Sequence, residues 1–109
     1  MQISQADIIQ QNKNELLISG VVDFLTVPDL VRKSLDFLKS YKSIDSSAII
    51  SVDLSKVTSC NSAGLALMLE MVRNARVNNV ELLFDNLPNT LLTIAKAYGV
   101  ENEIRDICK

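Results

Sequence analysis

Apolar and polar positions along this chain change period several times, and each change marks an element. Residues 6–10 form a possible first strand, and the polar Gln11-Asn12-Lys13-Asn14 that follows is a good turn. Residues 15–22, rich in Leu, Ile and Val, read as a second strand, so the chain opens with a hairpin. Gly20 inside this run marks a bulge or a close backbone approach. From Thr26 the pattern turns helical: Thr26 is a candidate N-cap, Pro28 sits in the first turn, and Asp29 favours the positive end of the helix dipole. Val31, Leu35 and Leu38 then recur at helical spacing to about Tyr41, and residues 42–47 read as a polar connection.

The short apolar run 48–54 predicts a central strand, and 55–61 a polar loop. A second helix is expected over 62–77, a turn at Asn78-Asn79, and another strand over 80–84. Leu87-Pro88 opens a third helix with Leu91, Ile94, Ala95 and Tyr98 on one face, and Gly99 stands where a left-handed C′ residue ends it. Residues 101–109 read as a short helix or edge strand around Ile104 and Ile107. The order β-β-α-β-α-β-α makes the later strands parallel through right-handed crossovers. The expectation is an α/β fold: one domain over 1–109, with a mixed four- to five-stranded sheet packed with three to four helices.

The helix expected at 62–77 is apolar around more of its circumference than one core contact requires. Leu65, Met68, Leu69 and Val72 share a face, while Ala63, Ala66 and Leu67 point elsewhere on a helical wheel and Met71 sits at the edge. Glu70, Arg73 and Asn74 restore polarity only in later turns. The first two turns are therefore expected to expose small and apolar residues beside Asn61 and Ser62, a pattern of protein-binding surfaces. The bland alternative is that neighbouring helices or the Asp23 loop cover them. Ser62 itself has three readings: it caps the helix, touches a partner, or carries a phosphate at the positive end of the dipole. Asp53 reads equally as a carboxylate binding loop N–H groups or as a functional group, and Asp23 as a turn cap or part of a functional edge near Ser62.

Composition narrows the chemistry. Among 109 residues there is no histidine, which removes His-based triads, His zinc sites and imidazole acid–base catalysis. Three scattered glycines make no phosphate-cradling loop. A net charge of −2 gives no nucleic-acid footprint. No apolar run approaches the ~18 residues of a spanning helix, and no basic region leading into an apolar core precedes residue 6, so neither membrane insertion nor a signal peptide is expected. Two cysteines, Cys60 and Cys108, imply no disulfide framework, and the protein reads as cytoplasmic with reduced thiols. Cys60 lies just before a helix start, which lowers a thiol pKa, but the blander reading is a small loop residue. An enzyme using Cys60 or Ser62 as nucleophile would lack an evident base. A binding module with no cofactor and no metal is the default.

Gly20-Val21-Val22-Asp23 before a helix, then Asp53-Leu54-Ser55-Lys56-Val57 and Asn61-Ser62-Ala63-Gly64-Leu65, resemble the STAS family of sulfate transporters and anti-sigma factor antagonists. The likeness spans about residues 6–107. Within the family, 62–69 is most similar to MlaB-type subunits, the free-standing STAS subunits of phospholipid ABC transporters that maintain outer-membrane lipid asymmetry. That resemblance implies a non-catalytic cytoplasmic subunit, held at the inner membrane through its complex and docked on the transporter's ATPase. Asn61, Ser62, Ala63, Ala66, Leu67 and Met71 would meet the ATPase, with Asp23 and Cys60 nearby. In antagonist relatives the motif is Asp-Ser-Ser-Gly, and an anti-sigma serine kinase phosphorylates its first serine, which corresponds to Ser62. Here Asn61 replaces the acidic residue and Ala63 the second serine, which favours a constitutive partner helix over a phospho-switch.

Overall fold

The computed structural model describes residues 5–41 and 48–109; the expected 42–47 connection and the first four residues lie outside them. The elements run β1 (Ala6–Asn12), β2 (Glu15–Val22), α1 (Val27–Ser40), β3 (Ile49–Cys60), α2 (Ala63–Val77), β4 (Glu81–Asp85), α3 (Asn89–Ala97) and α4 (Glu101–Asp106). The four strands lie side by side in the order β1-β2-β3-β4. β1 is antiparallel to β2, whereas β2, β3 and β4 are mutually parallel. The hairpin and two crossovers expected from the element order are thus present.

Burial alternates along the strands. Leu16 and Ile18, Ile50, Val52 and Leu54, and Leu82 and Phe84 are buried, while Leu17, Ser51, Asp53, Leu83 and Asp85 between them stay partly exposed. The buried set joins Leu30 and Leu38 of α1, the apolar side of α2, Leu91 and Ala95 of α3, and Ile104 in one core. Among the described residues the helices cover one sheet face, and the other face carries none, in a molecule 39 × 38 × 19 Å. In α1 the fully buried positions are Leu30, Ser34 and Leu38; of the expected Val31, Leu35 and Leu38 the last is buried and the other two are half-buried, and Ser34 enters the core by donating its hydroxyl to the Val31 carbonyl. Tyr98, expected on the inner face of α3, is exposed because the helix has ended at Ala97.

Three local features position the site described below. Gly20 has φ +91°, and a Cβ there would collide with the Gln5 carbonyl, so the tight approach expected at this glycine is real. Its neighbourhood also holds one of two register shifts between β2 and β3. The expected loop over 55–61 is instead the second half of β3. Its polar residues misled because β4 stops opposite Asp53, so Ser55, Lys56, Thr58 and Ser59 lie in a paired but solvent-facing strand. The tail carries both features expected of 101–109: α4 forms, and Phe84 N–H then donates to Ile107 O (2.8 Å) while Lys109 N–H donates to Phe84 O (2.9 Å), closing part of the β4 edge.

Candidate functional site

Because β2, β3 and β4 are parallel, the loops after them emerge at one end of the sheet, where open α/β folds place their binding sites. Two of these loops touch. Val22 and Cys60 are register partners at the ends of β2 and β3, and Asn61 N–H reaches back to the Val22 carbonyl at 3.3 Å. The turn at Asp23–Thr26 and the start of α2 are thereby fixed against each other.

The β2–α1 turn is braced from within. Asp23 Oδ1 accepts the N–H groups of Leu25 (2.9 Å) and Thr26 (3.0 Å). Thr26 Oγ1 donates to the Val21 carbonyl (2.8 Å) and accepts from Asp23 N–H (3.0 Å). Asp23 is therefore the turn's cap, and Thr26 ties the turn to β2 instead of capping α1. The bracing projects two large apolar side chains into solvent: Phe24 is 68% and Leu25 89% exposed. Exposing them costs hydrophobic free energy unless a partner covers them. Neither residue is among the contact residues expected from the sequence. The available signal was a pair of bulky apolar residues between Asp23 and Thr26, outside any periodic element.

At the start of α2 the roles of neighbouring residues are also exchanged. Asn61 Oδ1 accepts the Ala63 N–H at 2.8 Å, and the Asn61 and Ser62 carbonyls accept from Gly64 and Leu65. Ser62 already has helical dihedrals and its hydroxyl makes no capping bond. Capping by Ser62 is thus corrected to capping by Asn61, which reaches the orphan donor first. Ser62 is half-buried, and its hydroxyl takes no part in the cap.

The exposed face expected on α2 is corrected as well. Leu67 is 2% and Met71 0% exposed, and Ala63 is buried too. The helical wheel assumed one covered side, but α2 packs against α1 and α3 as well as against β4, which widens its buried sector. The outward stripe is Ala66, Leu69, Arg73 and Val77. Of the residues singled out for partner contact, Asp23, Asn61, Ser62 and Ala66 reach the surface at this end, while Ala63, Leu67 and Met71 form the floor beneath.

Asp53 behaves as the carboxylate that binds local donors. Its Oδ1 accepts from Ser55 N–H (2.8 Å) and from Asn86 Nδ2 (3.0 Å), and the Asn86 bond first, then the Ser55 N–H, hold its pKa below the ordinary carboxylate range. Asn86 does this from a left-handed turn, φ 57°, at the end of β4. Cys60 is half-buried at the end of β3, where desolvation pushes its thiol up, opposite to the activation that a helix start would give. Among the described residues no group of three or more His, Cys, Asp or Glu side chains gathers to hold a metal, and no helix is long and apolar enough to cross a membrane.

Residues 8–107 match the family model described as "Mlab, STAS domain". The anti-sigma factor antagonist SpoIIAA in its unphosphorylated form superposes with a TM-score of 0.68 at 13% identity, covering 95% of this chain and 85% of that one. A sulfate transporter family protein from Wolinella succinogenes superposes with a TM-score of 0.62 at 11% identity, covering 87% and 74%. At these identities the two structures show a shared fold. No curated protein matches the chain in sequence.

Proposed function

This chain belongs to the Mlab STAS domain family, and from that premise we propose that it is a non-catalytic docking subunit for the ATPase of a phospholipid ABC transporter. The observation that carries this reading is the braced turn presenting Phe24 and Leu25 beside the Asn61–Ser62 start of α2. The bracing matters: a turn whose backbone is already held in place loses little backbone freedom on binding. Asp23 and Asn61 are occupied in holding the turn and the helix start. Phe24, Leu25, Ser62 and Ala66 supply the contact surface. On this reading the protein works in the cytoplasm, at the inner membrane through its complex, and the whole of 1–109 acts as one domain.

The test is copurification with an ATPase subunit of such a transporter from the same organism. Phe24→Ala/Leu25→Ala and Ala66→Glu are expected to abolish the complex while each variant retains the native circular dichroism spectrum. Undiminished binding by both folded variants would refute the docking surface.

The Ser62 hydroxyl, which makes no capping bond, favours one second reading, an anti-sigma factor antagonist switched by phosphorylation there. A phosphate would add about −1.5 to −2 charge at a helix N-terminus. Incubation with an anti-sigma serine kinase followed by mass spectrometry decides it: an unmodified Ser62 excludes the switch.

A further inference from the structure

β1 is an outer strand, and among the described residues nothing pairs with its free edge. Val21 N–H donates to the Gln5 carbonyl, and the same register sets Asp7 opposite Ser19 and Ile9 opposite Leu17. Hydrogen-bonded and non-hydrogen-bonded pairs alternate in an antiparallel ladder. Asp7 and Ile9 therefore bond to β2, up to the register shift between Gln10 and Asn12, and the N–H and C=O groups of Ala6, Ile8 and Gln10 point outward. An edge of this kind is a template for another strand.

At its centre the template is covered. Ile8 N–H donates to Asp7 Oδ1 at 2.8 Å. The same oxygen accepts from Lys33 Nζ of α1 at 2.9 Å, and Lys33 also lies 3.5 Å from Asp29 Oδ2. A carboxylate is thus pinned across the outward face of the strand by a residue 26 positions away. Asp7 is also the only charged residue in Ala6–Asn12.

We infer that β1 is a self-complementary strand-addition edge for a second copy of this chain, held closed by the Asp7 carboxylate on the Ile8 N–H. Antiparallel pairing of two β1 strands about Ile9 sets Ile8 of each opposite Gln10 of the other, both with outward groups. It also brings the two Ile9 side chains, each 47% exposed in the single chain, into a direct cross-strand pair. The strand is otherwise uncharged, so removing Asp7 removes the cover and leaves no charge on the edge. The inference is independent of the docking surface at the other loops.

Sedimentation velocity of the full chain over a concentration series tests it. Asp7→Ala is expected to tighten self-association by about tenfold or more. Asp7→Asn, whose amide oxygen still accepts the Ile8 N–H, stays with the unmodified chain. Asp7→Val, which favours extended backbone, repeats the measurement if the alanine variant folds poorly. Ile9→Cys then reports the register: opposed non-hydrogen-bonded residues have Cα atoms about 4.5 Å apart, within disulfide reach. A disulfide-linked dimer should form under mild oxidation when Ile9→Cys is combined with Asp7→Ala, and not with Asp7 intact. Asp7→Ala and Asp7→Val chains that remain monomeric, or equal cross-linking with Asp7 present, would overturn the inference.

Discussion

Leu91 of α3 occupies the space directly over Gly64 of α2: a Cβ on residue 64 would come within 2.7 Å of Leu91 Cδ2. The missing side chain lets α3 lie against the first turn of α2, behind the Asn61–Ser62 loop. Gly64→Ala is expected to cost about 0–2 kcal/mol, because overpacking costs about 1–3 kcal/mol and alanine's helix propensity returns about 1 kcal/mol. Urea unfolding measures this. The double variant Gly64→Ala/Leu91→Ala should show strong non-additivity, since the truncated Leu91 no longer meets the added methyl.

Leu67 and Ala66 are adjacent in sequence and opposite in consequence. Leu67→Ala removes a fully buried side chain and should destabilise by about 2–5 kcal/mol. Ala66→Glu faces solvent and should leave stability within about 0.5 kcal/mol. Thermal unfolding of the pair separates loss of fold from loss of docking.

The exchanged roles at the start of α2 make a second contrast. Asn61→Ala removes the acceptor of the Ala63 N–H and should cost about 0.5–2 kcal/mol. Ser62→Ala removes no capping bond and should change stability by less than about 0.5 kcal/mol. Equal costs in chemical denaturation would contradict the assignment of the cap to Asn61.

Acid should loosen the fold through groups whose folded pKa is depressed. Asp53 is held down chiefly by Asn86, and Asp7 chiefly by the Lys33 hydrogen bond. A depressed carboxylate contributes stability that is fully present above its unfolded value and disappears as pH falls through its folded one. The midpoint of thermal unfolding should therefore be flat near neutrality and drop below about pH 4. Asp53→Asn should flatten that drop.

The thiols give a prediction of opposite sign. Burial raises Cys60 and Cys108, so both are protonated at neutral pH. Alkylation by iodoacetamide at pH 7 should be slower than for an exposed cysteine and accelerate on unfolding.

How far the sequence reaches can be judged at particular residues. Element order and parallel pairing were legible because residues 15–22, 48–54 and 80–84 have unmistakable strand character. Gly99 sits at φ +75°, the left-handed C′ conformation its neighbours in the sequence suggested, and Gly20 makes the close backbone approach expected of it. Leu67 and Met71 went astray because a helical wheel shows periodicity but not how many neighbours a helix has. Ser55–Ser59 went astray because composition reports solvent exposure, and a strand that outruns its neighbour is as exposed as a loop. The turn cap at Asp23 was one of its two readings, but the helix cap at Asn61 was hidden by competition: Ser62 is equally good by residue type, and only geometry shows which oxygen reaches the free N–H. Phe24 and Leu25 carry no periodic signature at all.

β4 pairs with β3 only as far as Asp53, so Leu54–Cys60 is held by β2 alone among the described strands. Mechanically this half of β3 is a cantilever with α2 hung from its tip. Ladder bonds there should open at lower free energy than those of Ile50 and Val52, and hydrogen exchange should show amide protection falling along the strand toward Cys60. A load applied at the tip by a bound partner would pass along the strands through β2 to the hairpin, and through the packing of α2 to α1, α3 and β4.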